Sequence, residues 1–147
     1  ASIGYRIRND EVFDSLFPTT DTIYDGKNFE QPFISDLVKC RHSVVISCPK
    51  VKPDRYSQMT RKLVDMVANG KEIVLYTKEK NDETIRLQKQ GISVIYRDHL
   101  SLHTAIIDKS SIWYGSVKIL GFHLIEDNII RFQNKEIALN MLESLQK

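Results

Sequence analysis

The chain has 147 residues, of which 41% are hydrophobic and 27% charged, and its 21 basic and 19 acidic side chains give a net charge of +2. This size and composition are typical of one globular domain with its own core. The near balance of charge excludes an electrostatic footprint that covers the whole surface. Any nucleic-acid binding must therefore depend on a local cluster of cations.

Targeting and redox signals are weak. No apolar run approaches the roughly 20 residues that a membrane span needs, and the first residues lack the apolar stretch of a signal peptide. The two cysteines, Cys40 and Cys48, have neither metal-site spacing nor the density of a disulfide framework. We therefore expect a cytoplasmic protein with reduced, buried thiols, no membrane association, no metal and no cofactor.

The N-terminal segment, residues 1–28, contains turn signals and no sustained periodicity. We expect it to be irregular and to pack on a domain that spans residues 29–147. Within this segment, Phe13, Leu16 and Phe17 have the spacing of a short docking helix.

The rest of the chain alternates between two apolar patterns. Apolar residues three or four apart predict helices, and short β-branched runs predict strands. In chain order we predict a helix over 29–39, a strand over 43–48, a helix over 56–68 and a strand over 72–76. A helix with Asp82 as its cap then runs to 90, and it is followed by a strand over 92–96, a hairpin of 103–107 with 112–115 and a strand over 128–132. The last predicted element is a C-terminal helix capped by Asn134, with Ile137, Met141, Leu142 and Leu145 inward. This order predicts an α/β fold with helices on the faces of a mixed sheet.

A motif lies between residues 101 and 118. Asp108 precedes the pair Gly115-Ser116, with seven residues from Asp108 to Gly115. This spacing resembles the signature of the phospholipase D superfamily, H-x-K-x4-D-x6-G-S-x-N. The resemblance extends over nearly the whole chain from residue 29 to 145 and implies an α/β/α sandwich.

Three motif positions hold other residues than the family's. The motif His falls on Ser101, the motif Lys on His103 and the motif Asn on Lys118. If His103 were itself the motif His, two residues would have to be missing from a strand, so we prefer the register set by Gly115-Ser116. The motif is therefore degenerate, and the position of the nucleophile holds a serine.

The resemblance implies a division of roles. In the superfamily, one His attacks phosphorus, a second His from another copy of the motif protonates the leaving group, and a Lys beside each His holds phosphate oxygens, all without a metal ion. By analogy, Asp108 supports the site, while Ser116 and Lys118 bind phosphate. An acidic residue after the motif orients the histidine in relatives, and Glu126 is the best match here, with Asp127 next.

The roles of the substituted residues remain open. His103 is either a histidine without a function in the site, a phosphate ligand in the place of the motif Lys, or a catalytic group. Ser101 is a weak nucleophile unless a base lies beside it, and only His103 or His99 could supply one. The candidate catalytic residues are thus Ser101, His103, Asp108 and Glu126.

A second cluster of cations follows the first long strand. Lys50, Lys52 and Arg55 lie in a loop with Pro49 and Pro53. Strand ends of this kind border the ligand crevice in α/β sheets, so the cluster could contact a phosphate backbone. The alternative is an ordinary solvated loop. For the single Trp113, which alternates with its neighbours along a predicted strand, packing is favoured over base stacking.

Three functional hypotheses follow. The amino-acid sequence around the motif resembles that of phospholipase-D-like domains attached to bacterial helicase- and restriction-type proteins. This resemblance favours a degenerate, non-catalytic accessory domain that binds DNA, RNA or a partner. The alternative is a metal-independent phosphodiesterase, a nuclease acting as a homodimer with an altered site. The third is a dimerisation module without a ligand. The sequence leaves open whether the chain is an enzyme, and predicts a homodimer or pairing with another domain of the parent protein.

Overall fold

One mixed sheet of seven strands organises the chain, in the order β1-β7-β6-β5-β2-β3-β4. The computed structural model describes residues 22–54 and 57–147, so the predictions for Phe13, Leu16, Phe17, Arg55 and Tyr56 lie outside it. The strands are β1 (Thr22–Asp25), β2 (Ser43–Ser47), β3 (Glu72–Thr77), β4 (Ser93–Tyr96), β5 (Thr104–Ile107), β6 (Ser111–Gly115) and β7 (Asn128–Gln133). The pairs β2–β3 and β3–β4 are parallel and the other four are antiparallel.

The helices of the described residues lie on both faces of this sheet. They are α1 (Glu30–Val38), α2 (Met59–Ala68), α3 (Asp82–Lys89) and α4 (Lys135–Gln146). Phe33, Leu63 and Leu87, from α1, α2 and α3, join one core on one face. Ala138 of α4 packs with Ile106 and Ile112 in a second, smaller cluster. These layers confirm the predicted α/β/α sandwich with a mixed central sheet.

Three local predictions are wrong. The segment 1–28 is not irregular throughout, because Thr22–Asp25 form β1 by pairing with β7. The cap of α3 is Asn81 rather than Asp82, because the Asn81 side chain accepts the backbone N–H of Thr84 at 2.9 Å. Ile137 is 40% exposed, because α4 is rotated so that Ala138 faces the sheet.

The chain directions bring four strand ends to one edge of the sheet. β6 runs in the same direction as β2, whereas β5 and β7 run in the opposite direction. The C-terminal ends of β2 and β6 therefore lie beside the N-terminal ends of β5 and β7. We call this the upper edge, and the opposite one the lower edge. Cys48, His103, Ser116 and Asn128 lie at the upper edge.

A buried polar cluster fixes the face on which α1 packs. Trp113 is fully buried, stacks on Tyr24 with 5.4 Å between ring centroids, and meets Phe33 edge-on at 5.2 Å. Its Nε1 donates to the Asp36 carboxylate at 2.8 Å, and Arg131 Nε donates to the same oxygen at 2.6 Å. The expectation that Trp113 serves packing is confirmed, and each charge of the buried Asp36–Arg131 pair has a partner.

Candidate functional site

His103 lies at the upper edge, immediately before β5. Its side chain is half-buried, and its Nδ1 is buried without a hydrogen-bond partner among the described residues. Burial lowers the pKa of the imidazole, the Lys118 charge lowers it further, and the Asp127 carboxylate partly opposes both. Because an ordinary histidine titrates near pH 6.5, the ring is mainly neutral at pH 7. The upper edge therefore contains a neutral imidazole with one unused nitrogen.

Lys118 follows β6 and supplies the positive charge of this site. Its charge lowers the pKa values of His103 and Cys48, and its Cβ and the Cys48 Sγ both lie against Gly121. Burial raises the pKa of the Cys48 thiol to about 11, although Lys118 acts in the opposite direction. Within residues 22–54 and 57–147, no carboxylate lies within salt-bridge distance of the Lys118 ammonium, an arrangement that leaves this charge available to an anion.

Gly115 and Ser116 connect β6 to β7 at the same edge. A Cβ at Gly115 would overlap the carbonyl oxygen of Asn128, so the backbones can approach this closely only because the residue is glycine. Ser116 donates its N–H to the Asn128 carbonyl at 2.8 Å and accepts the Asn128 N–H on Oγ at 3.0 Å. Ser116 therefore fixes the strand end, and its hydroxyl also donates a long hydrogen bond to the Asn128 carbonyl at 3.5 Å.

The loop after β2 lies against the segment that follows Lys118. Lys52 donates its N–H to the Leu120 carbonyl at 2.8 Å. A Cβ at Gly121 would lie 2.7 Å from the Lys50 carbonyl oxygen, so this glycine permits the two segments to touch. The side chains of Lys50 and Lys52 are exposed. The structure thus gathers three of the predicted phosphate-binding cations on adjoining loops.

Ser101 lies apart from these groups. It is exposed, and it lines a cleft of about 310 Å³ with His99, Arg97 and Ser144 of α4. Within residues 22–54 and 57–147, no hydrogen bond joins Ser101 to His99 or His103. Nucleophilic attack by a hydroxyl requires a base in hydrogen-bonding contact, and neither histidine makes that contact with Ser101 in this structure.

Asp108 lies at the lower edge, directly after β5. Its carboxylate accepts the backbone N–H groups of Arg41, His42 and Ser43 at 2.8, 2.7 and 3.1 Å. Burial alone would raise the pKa of this carboxyl, but the three N–H groups prevail and lower it. Five residue steps of about 3.4 Å separate it from His103, or about 17 Å. Asp108 thus anchors the α1–β2 connection, far from the groups at the upper edge.

Asp108 also forms the turn of the β5–β6 hairpin. Asp108 and Lys109 have positive φ angles of 53° and 57°, and the Ser110 N–H bonds to the Ile107 carbonyl at 3.1 Å. Positive φ at both central residues is the requirement of a type I′ turn, and Asp tolerates it better than most residues. The backbone conformation of Asp108 therefore agrees with its prediction as a turn residue of the hairpin.

The acidic residue within electrostatic reach of His103 is Asp127 rather than Glu126. Glu126 is exposed, and only its backbone carbonyl is engaged, by Asn128 Nδ2 at 3.1 Å. Asp127 accepts the Leu124 N–H at 2.7 Å, and its charge raises the pKa of His103. The sequence position of Asp127 could have indicated that it lies near His103, because it immediately precedes β7, whose N-terminal end is at the upper edge.

Metal-binding clusters and membrane-spanning helices are both absent from the described residues. Residues 22–54 and 57–147 contain no group of three or more His, Cys, Asp or Glu side chains that could hold a metal ion. In the same residues, every helix is too short or too polar to cross a membrane.

Comparison with solved structures establishes the fold of the chain. No protein-family profile matches the sequence, and no curated protein matches it. Among solved structures, NucT from Helicobacter pylori covers 87% of this chain and 94% of its own, with a TM-score of 0.70 and 14% identity. Nuc from Salmonella typhimurium, a phospholipase D family member, covers 87% and 92%, with a TM-score of 0.71 and 13% identity.

A third similar structure has a different description. TrmBL2, an archaeal chromatin protein whose structure shows a novel mode of DNA binding, covers 93% of this chain and 56% of its own, with a TM-score of 0.65 and 11% identity. Identities this low are evidence about the fold alone. With its mixed seven-stranded sheet and the helices on its faces, the chain therefore has the α/β fold of phospholipase D family members.

Proposed function

We propose that this chain is a degenerate phospholipase-D-like domain that binds the phosphate backbone of a nucleic acid at the upper edge and does not cleave it. In this proposal it serves as an accessory domain of a larger helicase- or restriction-type protein. The observation that carries the proposal is Lys118 beside the neutral His103, with no carboxylate pairing the ammonium among the described residues.

Two substitutions relative to the phospholipase D motif support binding without cleavage. The position of the motif Lys holds the neutral His103, and the position of the motif Asn holds Lys118, so the site keeps one cation at a different place. A phosphate oxygen can accept from the Lys118 ammonium, while the His103 Nδ1 is buried and has no partner within the described structure. Cleavage needs a nucleophile of suitable basicity, and Ser101 has no base within hydrogen-bonding distance.

The neighbouring loop favours a polymer of phosphates over a single phosphate. Lys50 and Lys52 are exposed on the loop that packs against residues 120–121. Cations on adjoining loops can contact successive phosphates, and each such contact releases counterions. The similarity in fold to an archaeal chromatin protein, whose structure shows a novel mode of DNA binding, is consistent with a nucleic acid, either DNA or RNA.

Fluorescence anisotropy with labelled single- and double-stranded oligonucleotides in EDTA tests the proposal. Lys118→Ala should weaken binding to all sequences alike and reduce the slope of log K against log salt by about 1. Lys118→Asn, which restores the motif residue without the charge, should behave in the same way. Lys89→Ala is the matched control, because Lys89 is exposed at the end of α3 near the lower edge.

Two results would contradict the proposal. One is a Lys118→Ala protein that binds with unchanged affinity and salt slope. The other is a Lys89→Ala protein that loses as much affinity as Lys118→Ala, since that would indicate a general effect of net charge.

One observation favours the alternative of a metal-independent phosphodiesterase acting as a homodimer. A half-buried, neutral imidazole can act as a nucleophile or a base, and a dimer could bring two copies of His103 to one site. End-labelled DNA in EDTA distinguishes the two functions. Cleavage by the wild-type protein that disappears in His103→Ala would establish the alternative, and no cleavage by either protein would exclude it under those conditions.

A further inference from the structure

Phe122 lies in the loop between β6 and β7, which leaves and rejoins the sheet at the upper edge. Its side chain is 69% exposed, although Gly121 directly before it is buried. Leu124 and Ile125 are 47% and 60% exposed, so three apolar side chains of one short loop face water. Apolar residues that are exposed together in this way, rather than scattered singly, mark a site of contact.

The backbone on both sides of Phe122 is held by the rest of the domain. Before it, the Gly121 N–H donates to the Lys118 carbonyl at 2.8 Å and closes a turn. After it, the His123 ring meets Phe29 edge-on, with 4.9 Å between ring centroids. The His123 Nδ1 also lies 3.3 Å from the Lys118 carbonyl oxygen. The backbone that carries the Phe122 ring is thus set before any ligand binds, which reduces the ordering cost of a contact.

The cations of the upper edge lie on backbone segments that contact this loop next to Phe122. Lys118 opens the turn that Gly121 closes, and Lys52 donates its N–H to the carbonyl of the residue before Gly121 at 2.8 Å. The Lys50 carbonyl oxygen would lie 2.7 Å from a Cβ at Gly121. An exposed aromatic ring therefore adjoins three lysines at the same edge of the sheet.

A ligand that matches this surface carries negative charges along a chain and flat apolar groups beside them. A single strand of nucleic acid has both, because its phosphates follow the backbone and its unpaired bases are free to stack on an aromatic side chain. The bases of a duplex are already stacked on one another, so a duplex offers the lysines its phosphates and offers the ring little. The combination of ring and cations thus favours the single strand.

The acidic residues of the loop make an anionic bilayer a poorer match. Glu126 and Asp127 directly follow Leu124 and Ile125, so negative charge adjoins the aliphatic end of the loop. Insertion of that end among anionic headgroups would be opposed by these carboxylates. Phe122 lies at the other end, next to the lysines, where a polyanion is attracted.

We propose that Phe122 stacks on an unpaired base and that the upper edge thereby selects single-stranded over double-stranded nucleic acid. The selection rests on the proposed function, phosphate binding at Lys118, and adds to it the class of nucleic acid and the residue that selects it. Because every base has an aromatic face, stacking selects for an unpaired strand and tolerates any sequence.

Fluorescence anisotropy in EDTA with labelled oligothymidylate and with a labelled duplex of equal length tests the stacking. Phe122→Leu keeps an apolar side chain and removes the ring, so it should weaken binding of the single strand about tenfold and leave binding of the duplex unchanged. Phe122→Trp should bind the single strand at least as tightly as the wild type. Ile125→Ala, which shortens another exposed apolar side chain of the same loop, is the matched control and should bind both forms as the wild type does.

The indole of the Phe122→Trp variant gives a second readout. Trp113 is the only tryptophan of the wild type and is fully buried, so its emission supplies a background that the wild-type protein measures separately. Oligothymidylate should quench the emission of the added, exposed indole, and the duplex should not.

Lys118→Ala separates the failure of stacking from the failure of phosphate binding. If Lys118→Ala weakens the binding of both forms while Phe122→Leu changes neither, phosphate binding holds and stacking is refuted. If the wild-type protein binds neither form, the proposed function fails and the selection fails with it.

Three other results would overturn the stacking. One is an equal loss of affinity for single strand and duplex in Phe122→Leu, and another is an equal loss in Ile125→Ala. The third is a different occupant of the loop. Cosedimentation with anionic phosphatidylserine vesicles that Phe122→Leu abolishes would assign the loop to a membrane surface, and a dimer in sedimentation velocity that Phe122→Leu dissociates would assign it to a second copy of the chain.

Discussion

Replacing Asp108 with Asn tests whether this carboxylate holds the lower edge rather than the candidate site. The carboxylate accepts three backbone N–H groups, from Arg41, His42 and Ser43, at 2.7 to 3.1 Å. Asn tolerates the positive φ of 53° nearly as well as Asp. It loses the charge, however, and turns an NH₂ group toward one of the three donors.

The expected cost follows from these contacts. Hydrogen bonds to a charged group contribute about 1.5–3 kcal/mol, and neutral ones about 0.5–1.5 kcal/mol. Arg41 and His42 are exposed, so their N–H groups can bond to water instead, whereas Ser43 is buried. We therefore expect Asp108→Asn to lower the free energy of unfolding by about 2–3 kcal/mol. Asp108→Ala should cost about 1 kcal/mol more, because Ala is strained at this φ.

Urea denaturation followed by the fluorescence of Trp113, the only tryptophan, measures this difference. The pKa of Asp108 in the folded protein lies below its ordinary value of 3.8. Its contribution is therefore complete at pH 7 and is lost as the pH falls through the folded pKa. The difference between wild type and Asp108→Asn should be largest at neutral pH and shrink below about pH 4. A difference near zero at pH 7, or one that is the same at pH 7 and pH 3, would refute the reasoning.

The same variant separates anchoring from a role in the site. Because Asp108 lies about 17 Å along the strand from His103, folded Asp108→Asn should bind oligonucleotides with unchanged affinity. A loss of affinity in the folded variant would place Asp108 among the binding residues after all.

Three other perturbations have defined outcomes. Asp36→Ala leaves Arg131 and the Trp113 Nε1 without their acceptor and should lower the free energy of unfolding by about 3–5 kcal/mol in urea denaturation. Gly115→Ala forces a Cβ against the Asn128 carbonyl and should lower the melting temperature in calorimetry, so an unchanged value would contradict the close approach. The thiols of Cys40 and Cys48, with pKa values raised to about 11 chiefly by burial, should react with Ellman's reagent at pH 8 only after unfolding, and fast reaction of the native protein would contradict their burial.

The elements that the sequence predicts well are those formed by local patterns. The β-branched run at 43–48 and the helical stripe that includes Phe33 and Leu37 bury themselves wherever they occur, so their periodicity suffices. Strand β1 has a short, weakly alternating sequence and exists by pairing with β7, more than 100 residues away. Its formation depends on that long-range partner, which a local pattern does not contain.

The candidate site shows the same division. The spacing of the motif predicts a common site for His103, Ser116 and Lys118, and strand register brings these residues to one edge of the sheet. It gave Glu126 precedence over Asp127, and it could not show that Ser101 faces a cleft beside Arg97. Both depend on loop conformation, which spacing does not determine.

The most direct test of phosphate binding at Lys118 and His103 is an NMR titration of the His103 imidazole against pH, with and without a saturating oligonucleotide. In the free protein, burial and Lys118 keep the pKa of His103 below 6.5. A bound phosphate would stabilise the imidazolium, so the account predicts that a saturating oligonucleotide raises this pKa, and that Lys118→Ala raises it in the free protein by removing the Lys118 charge. A His103 pKa that is unchanged when the oligonucleotide is demonstrably bound would contradict the account.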